Sequence, residues 1–189
     1  MALIPKTELE SRIVADPEWR EGAAWGDPRP GHPEGAVAPH IEEVLSNVDD
    51  LAVDARDHER LRLVALIHDT FKYRVVRGQP RTGENHHAMI ARRFAERYID
   101  DREVLDVIEL HDEAYNSWVK GERGDDWPAA VARARKLIDR LGASLDFYLR
   151  FYRADNSTGS KNKAPIQWFE SVIEWHPGSP VPGSGPDDE

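Results

Sequence analysis

Cysteine is absent from the 189 residues, which excludes disulfide bridges and thiolate metal sites together. Any metal must then be held by histidines and carboxylates. Basic residues are in the minority, 25 Lys and Arg against 35 Asp and Glu, for a formal charge of −10. Sequence-independent capture of nucleic acid needs a basic footprint, so no extended nucleic acid is expected as a partner; a small ligand in a locally basic pocket is still allowed. No apolar run approaches the length that spans a bilayer, and Met1-Ala2-Leu3-Ile4-Pro5-Lys6 lacks the basic and apolar regions of a secretory leader. The expectation is a soluble cytoplasmic protein with no membrane partner. There is no internal repeat and no convincing strand. What is present is enough chain for one domain, able to bury roughly two-thirds of its unfolded surface, and a helical periodicity along most of it.

Taken in order, Thr7-Glu8-Leu9-Glu10 has capping-box spacing, and Leu9, Ile13 and Val14 continue a helical stripe to a break at Asp16-Pro17. From Gly22 to Pro39 glycine and proline are dense, which reads as a loop. A helix is expected from about residue 38 to 49, with Pro39 in its first turn and His40, Ile41, Val44, Leu45 and Val48 on one face. The next, about 54–71, ends in His68-Asp69-Thr70-Phe71-Lys72. Residues 72–83 form a cationic loop in an acidic chain, with Lys72, Arg74, Arg77 and Arg81. A helix over about 84–99 aligns His87, Ile90, Ala91, Phe94 and Tyr98, and one starting near Asp100 aligns Val104, Val107, Ile108 and His111. Residues 116–126 read as a polar connection, 127–153 as helix interrupted at Gly142, and 165–175 as a last helix. From His176 the chain is Pro, Gly, Ser and Asp, the composition of a disordered tail.

Five groups share one property: His40, His68, His87, His111 and Asp155 each sit on, or at the end of, an apolar helical stripe, with Asp69 beside His68. One buried histidine is more often a hydrogen-bonded core residue than a ligand, and a lone His-Asp pair at a helix end can simply hydrogen-bond. Five such cases in eight histidines and a handful of carboxylates point instead to helices converging on one cluster, as facing helices of a bundle do around a metal. A cation that coordinates buried His and Asp removes the cost of burying the charge, and this donor set suits zinc, iron or manganese. His86 and His87 are adjacent; Ile90, Ala91, Phe94 and Tyr98 lie more nearly on the stripe of His87.

The order His40, His68-Asp69, His87, His111, Asp155 resembles that of the HD-domain superfamily of metal-dependent phosphohydrolases. His68-Asp69-Thr70-Phe71-Lys72 is similar to the family's His-Asp-x-x-Lys signature, and Gly31-His32-Pro33-Glu34-Gly35 before His40 resembles the lead-in of the HD domain attached to some bacterial tRNA nucleotidyltransferases. The resemblance implies an all-α fold, a single helical-bundle HD domain over residues 37–175, preceded by an N-terminal helix and lead-in loop over 1–36 and followed by the tail at 176–189. It implies one or two divalent transition metals (Fe, Mn, Co, Ni or Zn). His40, His68, Asp69 and Asp155 would hold one; Asp69, as the bridge, His87 and His111 would hold the other. Two such cations can share a hydroxide, lower its pKa and neutralise both sides of a phosphoryl displacement. The implied activity is hydrolysis of a phosphate ester, a nucleotide or a related small phosphorylated metabolite. Asp69 and Lys72 would be the catalytic residues, with Lys72, Arg74, Arg77 and Lys161 binding substrate phosphates. Phe71 departs from the small residue that family members often carry there. Some relatives with the same six ligands are mixed-valence di-iron oxygenases, and a nucleotide-binding regulatory module without turnover is a third possibility, against which the complete ligand set weighs.

Overall fold

The computed structural model describes residues 3–27, 35–159 and 161–174. The expected tail and most of the Gly31–Gly35 lead-in lie outside the described residues. Among those described there is no strand, and the fold is all-α. The helices are α1 (Glu8–Ala15), α2 (Pro17–Ala24), α3 (Val37–Asp49), α4 (Ala55–Ile67), α5 (His87–Ala95), α6 (Arg102–Leu110), α7 (Glu113–Gly124), α8 (Trp127–Leu141), α9 (Leu145–Asn156) and α10 (Ala164–Glu174). None is long and apolar enough to cross a membrane. Packing divides the chain into two compact units, one built from α1–α6 and α9, the other from α7, α8 and α10.

Local chemistry sets most of the helix ends. Thr7 accepts from Glu10 N at 3.1 Å and starts α1, Asp54 accepts from Asp57 N at 2.8 Å and starts α4, and Asp101 caps α6 through Glu103 and Val104. Gly142 stops α8 with φ +50°, where the expected interruption falls. Two expectations are corrected. Asp16-Pro17 is not only the end of α1: Asp16 Oδ1 accepts from Glu18 N at 2.8 Å and Pro17 occupies the first helical position, so the dipeptide opens α2. Residues 116–126 are not a polar connection but most of α7, whose Ala114, Ser117 and Gly121 are buried at helical spacing. Gly121 is there because a Cβ would meet the Trp127 ring at 2.3 Å, so it marks a close approach rather than a breaker.

In the first unit the core is the shared apolar face of α3 (Ile41, Val44, Leu45, Val48), α4 (Leu61, Val64, Ala65, Leu66, Ile67) and α6 (Val104, Val107, Ile108), closed by Phe94 and by Phe147, Tyr148 and Phe151 of α9. An ion pair is buried in it. Arg62 and Glu10 are 2 % and 1 % exposed at their side chains. They form a fork, Nε to Oε1 at 2.8 Å and Nη2 to Oε2 at 2.9 Å, while Arg62 Nη1 reaches Asp49 at 2.7 Å. This ties α1 and α3 to the middle of α4. Removing one partner would strand the other in the core, so Arg62→Leu is expected to cost about 3 kcal/mol or more, roughly 6–12 °C in melting temperature for a chain of this size. Glu10→Leu/Arg62→Leu should recover most of that; a single variant that melts like wild type would show that the pair is not holding α1 in place.

Candidate metal centre

Each candidate side chain enters from a helix terminus or end turn of the first unit. His40 lies in the first turn of α3, His68 caps the C-terminus of α4 with Asp69 next, His87 opens α5, His111 caps the C-terminus of α6, and Asp155 lies in the last turn of α9. The α9 end is tied to α3 by Asn47 Nδ2 donating to Ala154 O at 2.8 Å and by Gly159 N donating to Glu43 at 3.0 Å.

Six side chains converge. His40 Nε2 stands 3.3 Å from His68 Nε2, 3.0 Å from Asp155 Oδ1 and 3.7 Å from Asp69 Oδ2. His68 Nε2 is 3.7 Å from Asp69 Oδ2 and 3.8 Å from Asp155 Oδ1. On the other side of the same carboxylate, Asp69 Oδ1 is 3.5 Å from His87 Nε2 and 3.3 Å from His111 Nε2, which are 3.2 Å apart. The two oxygens of Asp69 thus face one histidine pair each. His40, His68 and Asp69 form one group able to hold a metal, and Asp69, His87 and His111 another, with ligand atoms in each within 4.8 Å of one another. His86 does a different job: its Nδ1 accepts from Ala88 N at 3.3 Å as the cap of α5.

Backbone carbonyls set the state of two rings. His68 Nδ1 lies 3.0 Å from Ala65 O and His111 Nδ1 lies 2.8 Å from Ile108 O. A carbonyl only accepts, so Nδ1 carries the proton and each ring turns its Nε2 into the cluster. Burial pushes His68 down to about 3, with Asp69 and Asp155 acting against that push and His111 and His40 adding to it. Burial also opposes ionisation of Asp69 and Asp155, but Lys72 beside the first and Lys161 beside the second hold both carboxyls well below the ordinary carboxylate range. The result is a set of ring nitrogens and ionised carboxylate oxygens aimed at one another. Asp69 Oδ1 is fully buried and makes no hydrogen bond, which is costly for a charged oxygen. A cation on each side of Asp69 satisfies this oxygen and the imidazole lone pairs together, and the residues present therefore fit divalent metal.

Around the cluster, the Phe151 ring meets His68 edge-on at 5.2 Å between centroids, and Tyr148 donates to His111 O at 3.1 Å. Lys72 ion-pairs with Asp69 Oδ2, and Lys161 donates to both Asp155 Oδ1 at 2.8 Å and Asp155 O at 3.0 Å. Arg74 is turned to Glu18, 3.1 Å away, and to the Tyr73 hydroxyl at 3.2 Å. Arg77 is exposed on the following loop. Glu113 forms a fork with Arg133 at 3.0 Å in the second unit.

An all-α fold whose helix ends gather four histidines and two aspartates, one of them shared between two histidine pairs, defines a helical domain able to hold divalent metal. The family model of the HD domain matches residues 37–144, and the chain belongs to that family, the HD-domain superfamily of metal-dependent phosphohydrolases. HD domains bind divalent metals. No curated protein and no solved structure matches the chain. Asp155 and Lys161 lie beyond the matched segment, and α1 and α2 precede it.

The titration of His68 has a consequence for the metal-free protein. The unfolded chain takes up a proton as pH falls through 6.5, whereas the folded chain refuses it until about 3. Stability must therefore fall between those values, by up to about 1.4 kcal/mol per pH unit for this one group; below the usual carboxylate range Asp69 and Asp155 add to the loss in the same direction. Urea midpoints of metal-free protein should decline from pH 6.5 to 5, and His68→Gln should flatten that decline by close to one proton's worth. An unchanged slope in the variant would mean that His68 protonates in the folded state.

Proposed function

We propose that this protein is a metal-dependent hydrolase of a small phosphate ester, a nucleotide or a related phosphorylated metabolite. The observation that carries the reading is the Asp69 carboxylate: its two oxygens face two separate histidine pairs, and one of them also meets Lys72. In this reading His40, His68, Asp69 and Asp155 surround one divalent ion, and Asp69, His87 and His111 a second. Ions bound there supply positive charge for the phosphoryl oxygens and a water of lowered pKa as nucleophile.

The remaining work falls to the chain itself. Lys72 and Lys161, each 28 % exposed at the side chain, are the ammonium groups beside the cluster that also reach solvent. Each can meet a phosphate oxygen as a point charge. Arg74 and Arg77 are further candidate phosphate contacts, and the exposed pairing of Arg74 with Glu18 is weak enough to be exchanged. A nucleotide substrate accords with the cytoplasmic location expected from the sequence.

Elemental analysis of purified protein should find up to two transition-metal ions per chain, and Asp69→Ala should lose most of them. With manganese and without oxygen, a panel of nucleoside mono-, di- and polyphosphates, dinucleotides and sugar phosphates should show phosphate or nucleotide release from one class. Lys72→Ala should reduce that turnover roughly 10²-fold, the scale set by removal of one charge-stabilising donor, with metal content intact. Absence of bound metal and of activation by manganese, iron, cobalt or nickel would overturn the reading. Silence across the panel, with oxygen uptake by the iron-loaded protein, would overturn it in favour of an oxygenase.

A further inference from the structure

We propose that α2, which precedes the segment matched by the family model, is a positioning element of the metal centre, acting through Trp19 and Gly22 on the turn that carries His68 and Asp69. The inference rests on the reading of that cluster as a metal centre.

The turn has little local support. After α4 the chain continues in tight three-residue steps, three of whose backbone bonds are long: Thr70 N to Ile67 O at 3.2 Å, Lys72 N to Asp69 O at 3.3 Å and Val75 N to Lys72 O at 3.4 Å, against 3.1 Å for Arg74 N to Phe71 O. Bonds of that length are at the weak end of the range for N–H···O. The residues they hold are the ones whose positions matter most, since a metal ligand must be kept within about 0.5 Å of its productive place.

Support comes from α2. The Trp19 indole is buried, and its Nε1 donates to Leu66 O at 2.8 Å. Thr70 Oγ1 donates to the same carbonyl at 2.9 Å, so a group that the end of a helix leaves without its usual partner is held by two side chains. Gly22 lies directly against Thr70: a Cβ there would stand 1.8 Å from Thr70 O and 2.9 Å from Thr70 C and Cγ2. Only glycine lets the α2 backbone approach so closely. On the far side of the ligands, Glu18 O accepts from the Tyr73 hydroxyl at 3.2 Å and the Glu18 carboxylate pairs with Arg74. Contacts at 66, 70, 73 and 74 bracket His68, Asp69 and Lys72. Any side chain at position 22 must push the Thr70 backbone, and with it Asp69, away from the other ligands. Trp19 and Gly22 touch no candidate ligand, so they are positioning residues.

The full-length protein is titrated with Co²⁺, and its visible ligand-field absorption reports both affinity and coordination geometry. Gly22→Ala is expected to weaken cobalt binding about 10-fold or more, the range found when groups that orient metal ligands are altered, and to shift the band. Trp19→Phe removes the indole donor with its pyrrole ring but keeps an aromatic side chain; it should move both readouts in the same direction by less, and it carries the test if Gly22→Ala does not fold. Val48→Ala, a core truncation in the last turn of α3, should lower the melting temperature while leaving the band and the affinity unchanged. A wild-type band that survives both α2 substitutions unaltered, with melting temperature lowered alone, overturns the positioning role and leaves the metal centre standing. No cobalt band in the wild-type protein overturns the metal centre and this inference with it.

Discussion

The structure depends on one buried carboxylate. Asp69 sits in a fully packed turn with Lys72 on one oxygen and no hydrogen bond on the other, and the neighbours of both oxygens are imidazole nitrogens. Burying an ion without partners is costly, and a lysine on one side meets only half of that cost. The geometry is economical only with positive charge on both sides of the carboxylate. This decides how the four histidines are to be understood. Singly each would pass for a core histidine; around a shared anion, with two of them held by backbone carbonyls so that Nε2 faces inward, they are poor partners for one another and good ones for a cation.

Helix termini do the placing. His68 and His111 follow the last turns of α4 and α6, and each uses the carbonyl three residues before it to fix its ring. The carbonyls at a helix C-terminus lack intrahelical partners, so the end of a helix supplies both the position of the ligand and the acceptor that orients it. The same device appears twice, on two helices packed side by side. α9 adds the third part: it brings Asp155 to His40 and also lays Phe151 against His68 and the Tyr148 hydroxyl on His111 O. A single helix thus supports both halves of the cluster.

Much of this was legible in the residues. The stripes ending in His68 and His111, and the face shared by His40, Ile41, Val44, Leu45 and Val48, are buried as their spacing requires. His87 reaches Asp69, and its neighbour His86 caps α5. What escaped was set by close approach rather than by pattern. Gly22 and Gly121 look like breakers in a string of letters, yet each is the point where a helix meets another group too closely for a Cβ. A helix of eight residues such as α2 carries too few apolar positions for a clear stripe, although Asp16-Pro17 held the start signal. Nor does sequence say which of several cations on a loop turns inward: Lys161 meets Asp155 while Arg74 turns to Glu18, and that choice is made by tertiary packing.

On the proposed reading an acidic protein would receive an anionic substrate, an apparent conflict that distance resolves. The formal charge of −10 belongs to the whole chain and not to the cluster, and part of the acidic excess is gathered around arginines elsewhere, where Arg92 lies between Asp106 and Glu109 and Arg60 between Asp101 and Glu103. At physiological salt exposed charges beyond about 8 Å are largely screened, so an incoming phosphate is governed by the groups at the mouth of the cluster. Those are Lys72 and Lys161, joined by whatever divalent charge Asp69 and Asp155 hold. On that reading a negative surface would disfavour long polyanions, whose many charges meet it along their length, while a small phosphate ester would need only the few ångström over which the local charge is positive. On the proposed reading, global charge and local chemistry would therefore select in the same direction, towards a compact phosphorylated ligand.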